Sequence, residues 1–183
     1  ADAYEAELRA LRAFWYFHLV DMFGNVPLST DFTETEAKAN SSRTEVYNFI
    51  KSELDAVIPL LTDKKDGTTY GRMNKWSALV LRMKLQLNSS VWTGSAAWAG
   101  AKADADAIIN SGLYSLEAKY SDNFKTENSG SSENIFVVPY DEVFAGGFNW
   151  PAMTLHYASQ NTFNLTFQPW NGYATVEEFY NSY

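Results

Sequence analysis

The chain has 183 residues and a formal net charge of −8, and 46% of its residues are apolar. This length and composition suffice for one hydrophobic core, while the negative charge argues against nucleic acid or an anionic membrane surface as partner. The absence of cysteine excludes disulfides and thiolate metal sites, and no apolar run approaches the ~18 residues of a membrane-spanning helix.

The first predicted element is a long amphipathic helix from about Ala3 to Phe23. Gly24 or Asn25 can take the positive φ that ends a helix, and Pro27 prevents its continuation. Large apolar residues recur at helical spacing and predict one buried face. That face comprises Leu8, Leu11, Phe14, Trp15, Leu19 and Met22.

The second predicted helix follows a polar linker at residues 29–42. Ser42 and Glu45 have the spacing of a capping box, which marks a helix N-terminus. The apolar residues that follow repeat with the 3.6-residue period of a helix with one buried side. They are Val46, Phe49, Ile50, Leu54, Val57, Ile58 and Leu61.

Two further helices are predicted, at about 74–92 and 95–110. The third carries an apolar stripe that includes Trp76 and Leu79, and the fourth is rich in alanine, which allows a neighbouring helix to approach closely. Four helices of this kind predict a mainly α fold built as a tetratricopeptide-like stack of helix pairs. The 34-residue consensus of that repeat is not clean here.

The character of the chain changes after Tyr120. Residues 134–140 have the composition of a short strand or an extended segment, and residues 141–171 show little periodicity but many aromatic side chains. The last residues, 176–183, have the pattern of the start of a helix. We therefore predict a helical part, 1–116, and a loop-rich part, 117–183.

Six blocks of the sequence together cover nearly the whole chain. They are residues 7–28, 42–50, 71–79, 108–116, 132–136, and 169–173 followed by 177–180. In this order, the six blocks resemble the SusD/RagB family of cell-surface glycan-binding lipoproteins.

The resemblance implies a fold with tetratricopeptide-like helix pairs and a function in nutrient uptake. A protein of this family would capture oligosaccharide at the outer membrane and deliver it to a TonB-dependent transporter of the SusC type, without cleaving it. It would be a surface-exposed lipoprotein, with the lipidated cysteine upstream of residue 1. Because family members are longer at both ends, residues 1–183 would be a central fragment.

The candidate glycan-binding residues lie in the loop-rich part, where aromatic side chains adjoin amides. A pyranose ring packs its C–H face on an aromatic ring, and its hydroxyls bind amide or acid groups. Trp150 beside Asn149 and Trp170 beside Asn171 have this composition, and Tyr157 lies in the same region. The alternative is that each tryptophan fills the junction between the helical stack and the loops.

Other aromatic and charged residues are predicted to be structural. Trp15, Trp76 and Trp92 lie on helical stripes and are expected in the core, whereas the position of Trp98 is open. Arg9 and Arg12 match a basic pair that the family carries in its first helix, and we expect them to form an ion pair with a neighbouring helix.

Asp141 and Glu142 are the best candidates for a metal site. Carboxylates in an irregular loop suit calcium, and the family resemblance is compatible with a structural calcium ion. The spacing fits no EF-hand loop, and a solvated acidic turn is the competing interpretation. No other cofactor is expected.

Two alternatives to glycan capture remain open from the residues alone. A glycoside hydrolase with an aromatic cleft would need two positioned carboxylates, and no acidic motif stands out. His18 and His156 have no spacing typical of a zinc pair or a catalytic triad. A helical-repeat scaffold that binds protein would instead have all its aromatic residues in the core. We predict a binding protein and not an enzyme.

Overall fold

The structure is a computed structural model that describes residues 2–141 and 143–182. Within these residues it is helical, with isolated β-bridges but no strands, which confirms the mainly α prediction. Five helices precede residue 111: α1 (Asp2–Phe23), α2 (Arg43–Val57), α3 (Lys75–Leu87), α4 (Ser89–Thr93) and α5 (Trp98–Asn110). Three short helices follow: α6 (Trp150–Thr154), α7 (Ser159–Phe163) and α8 (Glu177–Tyr180). Two 3₁₀ turns lie at Ile58–Leu60 and Tyr120–Phe124.

Helices α1 and α2 form an antiparallel pair. Arg9 contacts Glu53 near the start of α1, and Tyr16 packs edge-on against Phe49 one to two turns later. Residue numbers of the contacts on α2 thus decrease as those on α1 increase, which is the pattern of two antiparallel helices. Beyond the pair, Ser41 N–H donates to the carbonyl of Val26 at 2.9 Å and closes the base of the connecting loop.

The buried face of α1 differs from the predicted one. Its fully buried residues are Ala6, Ala10, Ala13 and Val20, with Phe14, Phe17 and Leu19 partly buried beside them. Leu8, Trp15 and Met22 are 67%, 60% and 64% exposed, so their predicted burial is wrong. Alanines have the smallest side chain that still favours a helix, and burying them lets α2 approach the α1 backbone closely.

Helix α2 forms as its sequence predicts. The Ser42 hydroxyl accepts a hydrogen bond from the backbone N–H of Glu45, and the Glu45 carboxylate accepts one from the backbone N–H of Ser42 at 2.7 Å. This reciprocal capping box satisfies N–H groups that the first turn leaves unpaired. The predicted stripe is buried or, at Phe49, partly buried in the core.

Helices α3 and α5 form a second antiparallel pair with a polar network between them. Asp104 on α5 accepts hydrogen bonds from Arg82 Nε at 2.9 Å, Arg82 Nη2 at 2.6 Å and Gln86 Nε2 at 2.7 Å. A Cβ on Gly100 would lie 1.7 Å from Gln86 Oε1, so any larger residue here would have to displace this amide. These two helix pairs confirm the tetratricopeptide-like expectation.

The predicted third helix is broken. Its continuous pattern through residue 92 is divided at Asn88, whose side-chain amide donates to the carbonyl of Lys84 at 3.0 Å and ends α3. Such a local side-chain bond competes with the helical ladder. The predicted fourth helix corresponds to α5 and begins at Trp98, later than predicted.

The burial of three further tryptophans can be compared with the prediction from the sequence. Trp76 and Trp92 are buried in the core, as predicted. The Trp76 indole N–H donates to the carbonyl of Asp63 at 2.7 Å, so its polar edge is satisfied. Trp98, whose position the sequence leaves open, is exposed at the start of α5.

The predicted ion pair of the first helix is present. Arg9 and Arg12 both bind the buried Glu53 of α2, with Arg9 Nη2 2.8 Å from Glu53 Oε1. Burial on its own would raise the pKa of the Glu53 carboxyl, but the hydrogen bonds from the two guanidinium groups outweigh it and hold that pKa below its ordinary value. Hydrogen bonds to the charged form have this effect.

The chain divides into two compact units between Val137 and Val138. Segment 117–137 connects to the earlier chain: Ser132 Oγ, for example, donates to the carbonyl of Ser115 at 3.0 Å. Residues 134–140 form no strand and remain irregular. Helix α8 confirms the predicted helix start for Glu177–Tyr180, while Tyr183 lies outside the described residues. The predicted domains, 1–116 and 117–183, stay a prediction.

Candidate functional site

The second unit is organised around α6 and a later segment that hydrogen-bonds to it. Residues 170, 171, 172 and 173 each donate a backbone N–H to a carbonyl at the C-terminal end of α6 or just beyond it. The acceptors are the carbonyls of Ala152, Met153 and Leu155, at distances of 2.6–3.1 Å. These bonds replace the helical partners that a short helix lacks at its C-terminal end, and they fix residues 170–173 to residues 152–155.

Asn171 makes the turn in this segment. Its φ is 53°, in the left-handed region that asparagine adopts more readily than most residues. This conformation allows four consecutive N–H groups to reach the end of α6. The asparagine has a structural reason to be here beyond any contact with a ligand.

The arrangement pairs two exposed aromatic rings. Trp150 and Tyr173 have ring centroids 5.6 Å apart and an interplanar angle of 32°. Their side chains remain 60% and 50% exposed, and Trp170 in the same segment is 58% exposed. We call Trp150 and Tyr173 the aromatic platform. Exposed rings of this kind offer the surface on which the C–H face of a sugar packs.

Two predicted amides flank the platform in the sequence. Asn149 directly precedes Trp150 at the start of α6, and Asn171 lies two residues before Tyr173; both are exposed. Within the described part of the chain, neither side-chain amide makes a hydrogen bond. Each amide therefore has donor and acceptor groups that can bind a hydroxyl.

Tyr157 lies in the turn between α6 and α7 and is half exposed. Its ring contacts that of His156, with centroids 4.0 Å apart. His156 Nδ1 accepts a hydrogen bond from the backbone N–H of Ala158 at 3.1 Å, which holds the imidazole in the turn. This contact gives His156 a local structural role.

Tyr173 is the residue of this site that the sequence analysis does not select. Its partner Trp150 is 23 positions earlier in the numbering, and no periodic pattern connects the two. The available signal is that Tyr173 ends the same block, 169–173, that contains Trp170 and Asn171. The roles of Trp150, Asn149, Trp170, Asn171 and Tyr157 in glycan binding stay a prediction.

The candidate calcium residues are only partly described. Asp141 Oδ1 accepts hydrogen bonds from the backbone N–H groups of Val143 and Phe144, at 2.8 Å and 2.7 Å. These bonds lower the pKa of the Asp141 carboxyl, with the bond from Phe144 contributing most. Glu142 lies outside the described residues.

A calcium ion at this turn would need further ligands. It takes about six to eight oxygens, and Asp141 already directs one of its two oxygens to the backbone. Across residues 2–141 and 143–182, no three carboxylate, imidazole or thiol groups gather where a metal ion could bind. The calcium site stays a prediction.

Comparison with known proteins identifies the family. A family model described as "Starch-binding associating with outer membrane", of the SusD-like group, matches residues 1–146. Because this match covers most of the chain, the protein belongs to the SusD-like family. The resemblance inferred from the sequence is thereby confirmed.

Individual relatives agree with this assignment. The starch-binding protein SusD of Bacteroides thetaiotaomicron is 32% identical over 123 residues, which are 67% of this chain and 22% of that protein. The surface glycan-binding protein A of the same species, solved in complex with laminarihexaose, has a TM-score of 0.81 at 26% identity. That match covers 100% of this chain and 41% of the solved one. A laminarin-binding SusD-like protein gives a TM-score of 0.70 at 27% identity over 81% of this chain and 33% of that one.

The chain thus spans less than half the length of these relatives. No helix in the described part of the chain has the length and apolar character needed to cross a lipid bilayer. Association with the outer membrane is a property of the family by its description.

Proposed function

We propose that this protein binds a glucan at the cell surface and that the aromatic platform is part of its binding site. The observation that carries the proposal is the exposed Trp150–Tyr173 pair, positioned by the backbone bonds between residues 170–173 and 152–155. A sugar ring packs its apolar face on these rings, while the side chains of Asn149 and Asn171 bind its hydroxyls.

The relatives support a glucan as the ligand class. SusD is named for starch, and the solved relatives are described with laminarihexaose and laminarin. All three ligands are polymers of glucose. We therefore propose a glucan, with Trp170 and Tyr157 as further aromatic contacts.

The binding is expected to be weak for a single sugar. A shallow site on an exposed surface corresponds to a Kd on the order of 1 mM, or about −4.1 kcal/mol. A polymer raises the apparent affinity because several sugars engage linked sites, which makes the second contact intramolecular.

We further propose that no glycosidic bond is cleaved. Hydrolysis of a glycosidic bond uses two carboxyl groups on either side of the scissile bond. The sequence from Val143 to Val176, which contains the platform, has no aspartate or glutamate. This stretch therefore supplies no acid that could serve in the catalytic pair.

The family suggests the destination of the bound glucan. We propose that the full-length protein is a surface-exposed lipoprotein of the outer membrane and hands the glucan to a TonB-dependent transporter of the SusC type. Co-purification of the full-length protein with such a transporter tests this partner, and failure to co-purify under conditions that preserve other outer-membrane complexes would contradict it.

Affinity electrophoresis in gels containing starch or laminarin tests the binding site. Replacement of Trp150 or Tyr173 by alanine is expected to weaken retention about fivefold to tenfold, because each removes one ring of the platform. Trp98→Ala is the matched control, since Trp98 is equally exposed but lies on α5. Unchanged retention of the folded platform variants would refute the site, and sugar released during incubation would refute the absence of cleavage.

A further inference from the structure

The helical unit contains a groove between α1, α3 and residues 133–136. Its volume is about 370 Å³, near the lower end of the range for pockets that hold small molecules. The rings of Phe14 and Phe136 contact each other in its wall, with centroids 5.4 Å apart, and Val80 of α3 adds to the apolar lining. This surface is only partly buried by the protein itself.

Three further polar side chains line the same groove. They are the imidazole of His18, the ammonium group of Lys84 and the amide of Asn134. In the part of the chain that the structure describes, none of the three side chains makes a hydrogen bond or an ion pair. The imidazole of His18 contacts aromatic rings, such as that of Phe14 at a centroid distance of 4.5 Å.

This lack of partners contrasts with the charged groups nearby. Glu133 also lines the groove, but its Oε2 accepts hydrogen bonds from Asn123 Nδ2 at 2.9 Å and from the backbone N–H of Glu117 at 3.0 Å. Arg82, two residues before Lys84 on α3, is bound to Asp104 and Asp55. Within the described residues, Glu133 and Arg82 thus have protein partners of a kind that the side chains of His18, Lys84 and Asn134 lack.

We propose that this groove is a second saccharide subsite, separate in sequence and in residues from the aromatic platform. A pyranose ring packs its C–H face against Phe14, Phe136 and Val80. The hydroxyl groups of the sugar accept hydrogen bonds from Lys84 and Asn134. A further hydroxyl forms a hydrogen bond with a ring nitrogen of His18, so all three side chains gain a partner. The choice of a glucan as ligand rests on the proposed function; the site itself rests on the groove.

The test uses laminarihexaose and maltohexaose, titrated into the ¹⁵N-labelled chain at neutral pH and followed by NMR. The side-chain amide of Asn134 and the ring protons of His18 are expected to shift with one saturating curve. Lys84→Met should raise the Kd of that curve about tenfold, because it removes a hydrogen bond from a charged group. Lys102→Met, on the outer side of α5, is the matched control and should leave the curve unchanged.

A platform-deficient background separates this inference from the proposed function. In Trp150→Ala/Tyr173→Ala, the shifts of Asn134 and His18 should persist, and addition of Lys84→Met should weaken them. If Asn134 and His18 never shift while the wild-type chain binds at the platform, the groove subsite is refuted and the platform stands. If the platform residues never shift while the groove responds as expected, the platform is refuted and the groove stands.

Discussion

Asp104→Ala is predicted to destabilise the α3–α5 pair by about 3–5 kcal/mol. Asp104 is 4% exposed and accepts three hydrogen bonds from Arg82 and Gln86. Its removal leaves the Gln86 amide, itself 6% exposed, without this acceptor and deprives Arg82 of its main counter-charge. An unsatisfied buried donor costs about 1–3 kcal/mol, and breaking a buried ion pair from one side costs about 3–5 kcal/mol.

The assay is urea unfolding followed by circular dichroism at 222 nm. Asp106→Ala is the matched control on the same helix, because Asp106 forms a solvent-exposed i,i+4 pair with Lys102. Loss of such a pair should cost about 0.3–0.5 kcal/mol. The double variant Arg82→Met/Asp104→Leu removes both charges and should recover much of the lost stability. Equal effects of Asp104→Ala and Asp106→Ala would show that the network contributes no more than a surface pair.

Three further predictions concern α1, α2 and the core. Ser42→Ala should lower the free energy of unfolding by about 1 kcal/mol through loss of the capping box, whereas Ser52→Ala, within the same helix, should change it less. The folded state lowers the pKa of Glu53, so the ionised Glu53 stabilises the protein above the ordinary pKa of 4.5, and this stabilisation is lost as the pH falls through the folded pKa. Glu53→Gln should therefore lower the free energy of unfolding at neutral pH. The difference in stability between Glu53→Gln and the unmodified chain should shrink when unfolding is measured at increasingly acidic pH. Trp15→Ala should cost under about 0.5 kcal/mol and Trp76→Ala about 3–5 kcal/mol, as measured by chemical unfolding; equal costs would contradict the burial pattern.

Local signals made part of the fold predictable. The Ser42–Glu45 capping box and the apolar stripe of α2 depend on residues within a few positions of one another, and both are present in the structure. The break at Asn88 has no comparable signal, because the apolar pattern continues through it. It depends on whether a side-chain amide bonds to a carbonyl four residues earlier, and asparagine has this option without always using it.

The candidate site was harder to predict than the helices. Composition indicates Trp150 and Trp170, but the pairing of Trp150 with Tyr173 depends on where the backbone of residues 170–173 bonds to α6. Sequence spacing carries no information on such a contact between two irregular segments. The groove is equally hard to predict from the sequence, because Phe14, Lys84 and Asn134 lie in three separate segments of the chain.

The alanine face of α1 has a consequence for how this helix tolerates substitution. Ala10 and Ala13 are fully buried, so even a modest enlargement there would force α1 and α2 apart. Leu8, Trp15 and Met22 could instead be replaced by polar residues with little effect on stability, because their side chains are exposed. Along this helix, mutational sensitivity should therefore follow burial and not side-chain size, because small alanines are constrained while Leu8, Trp15 and Met22 are replaceable.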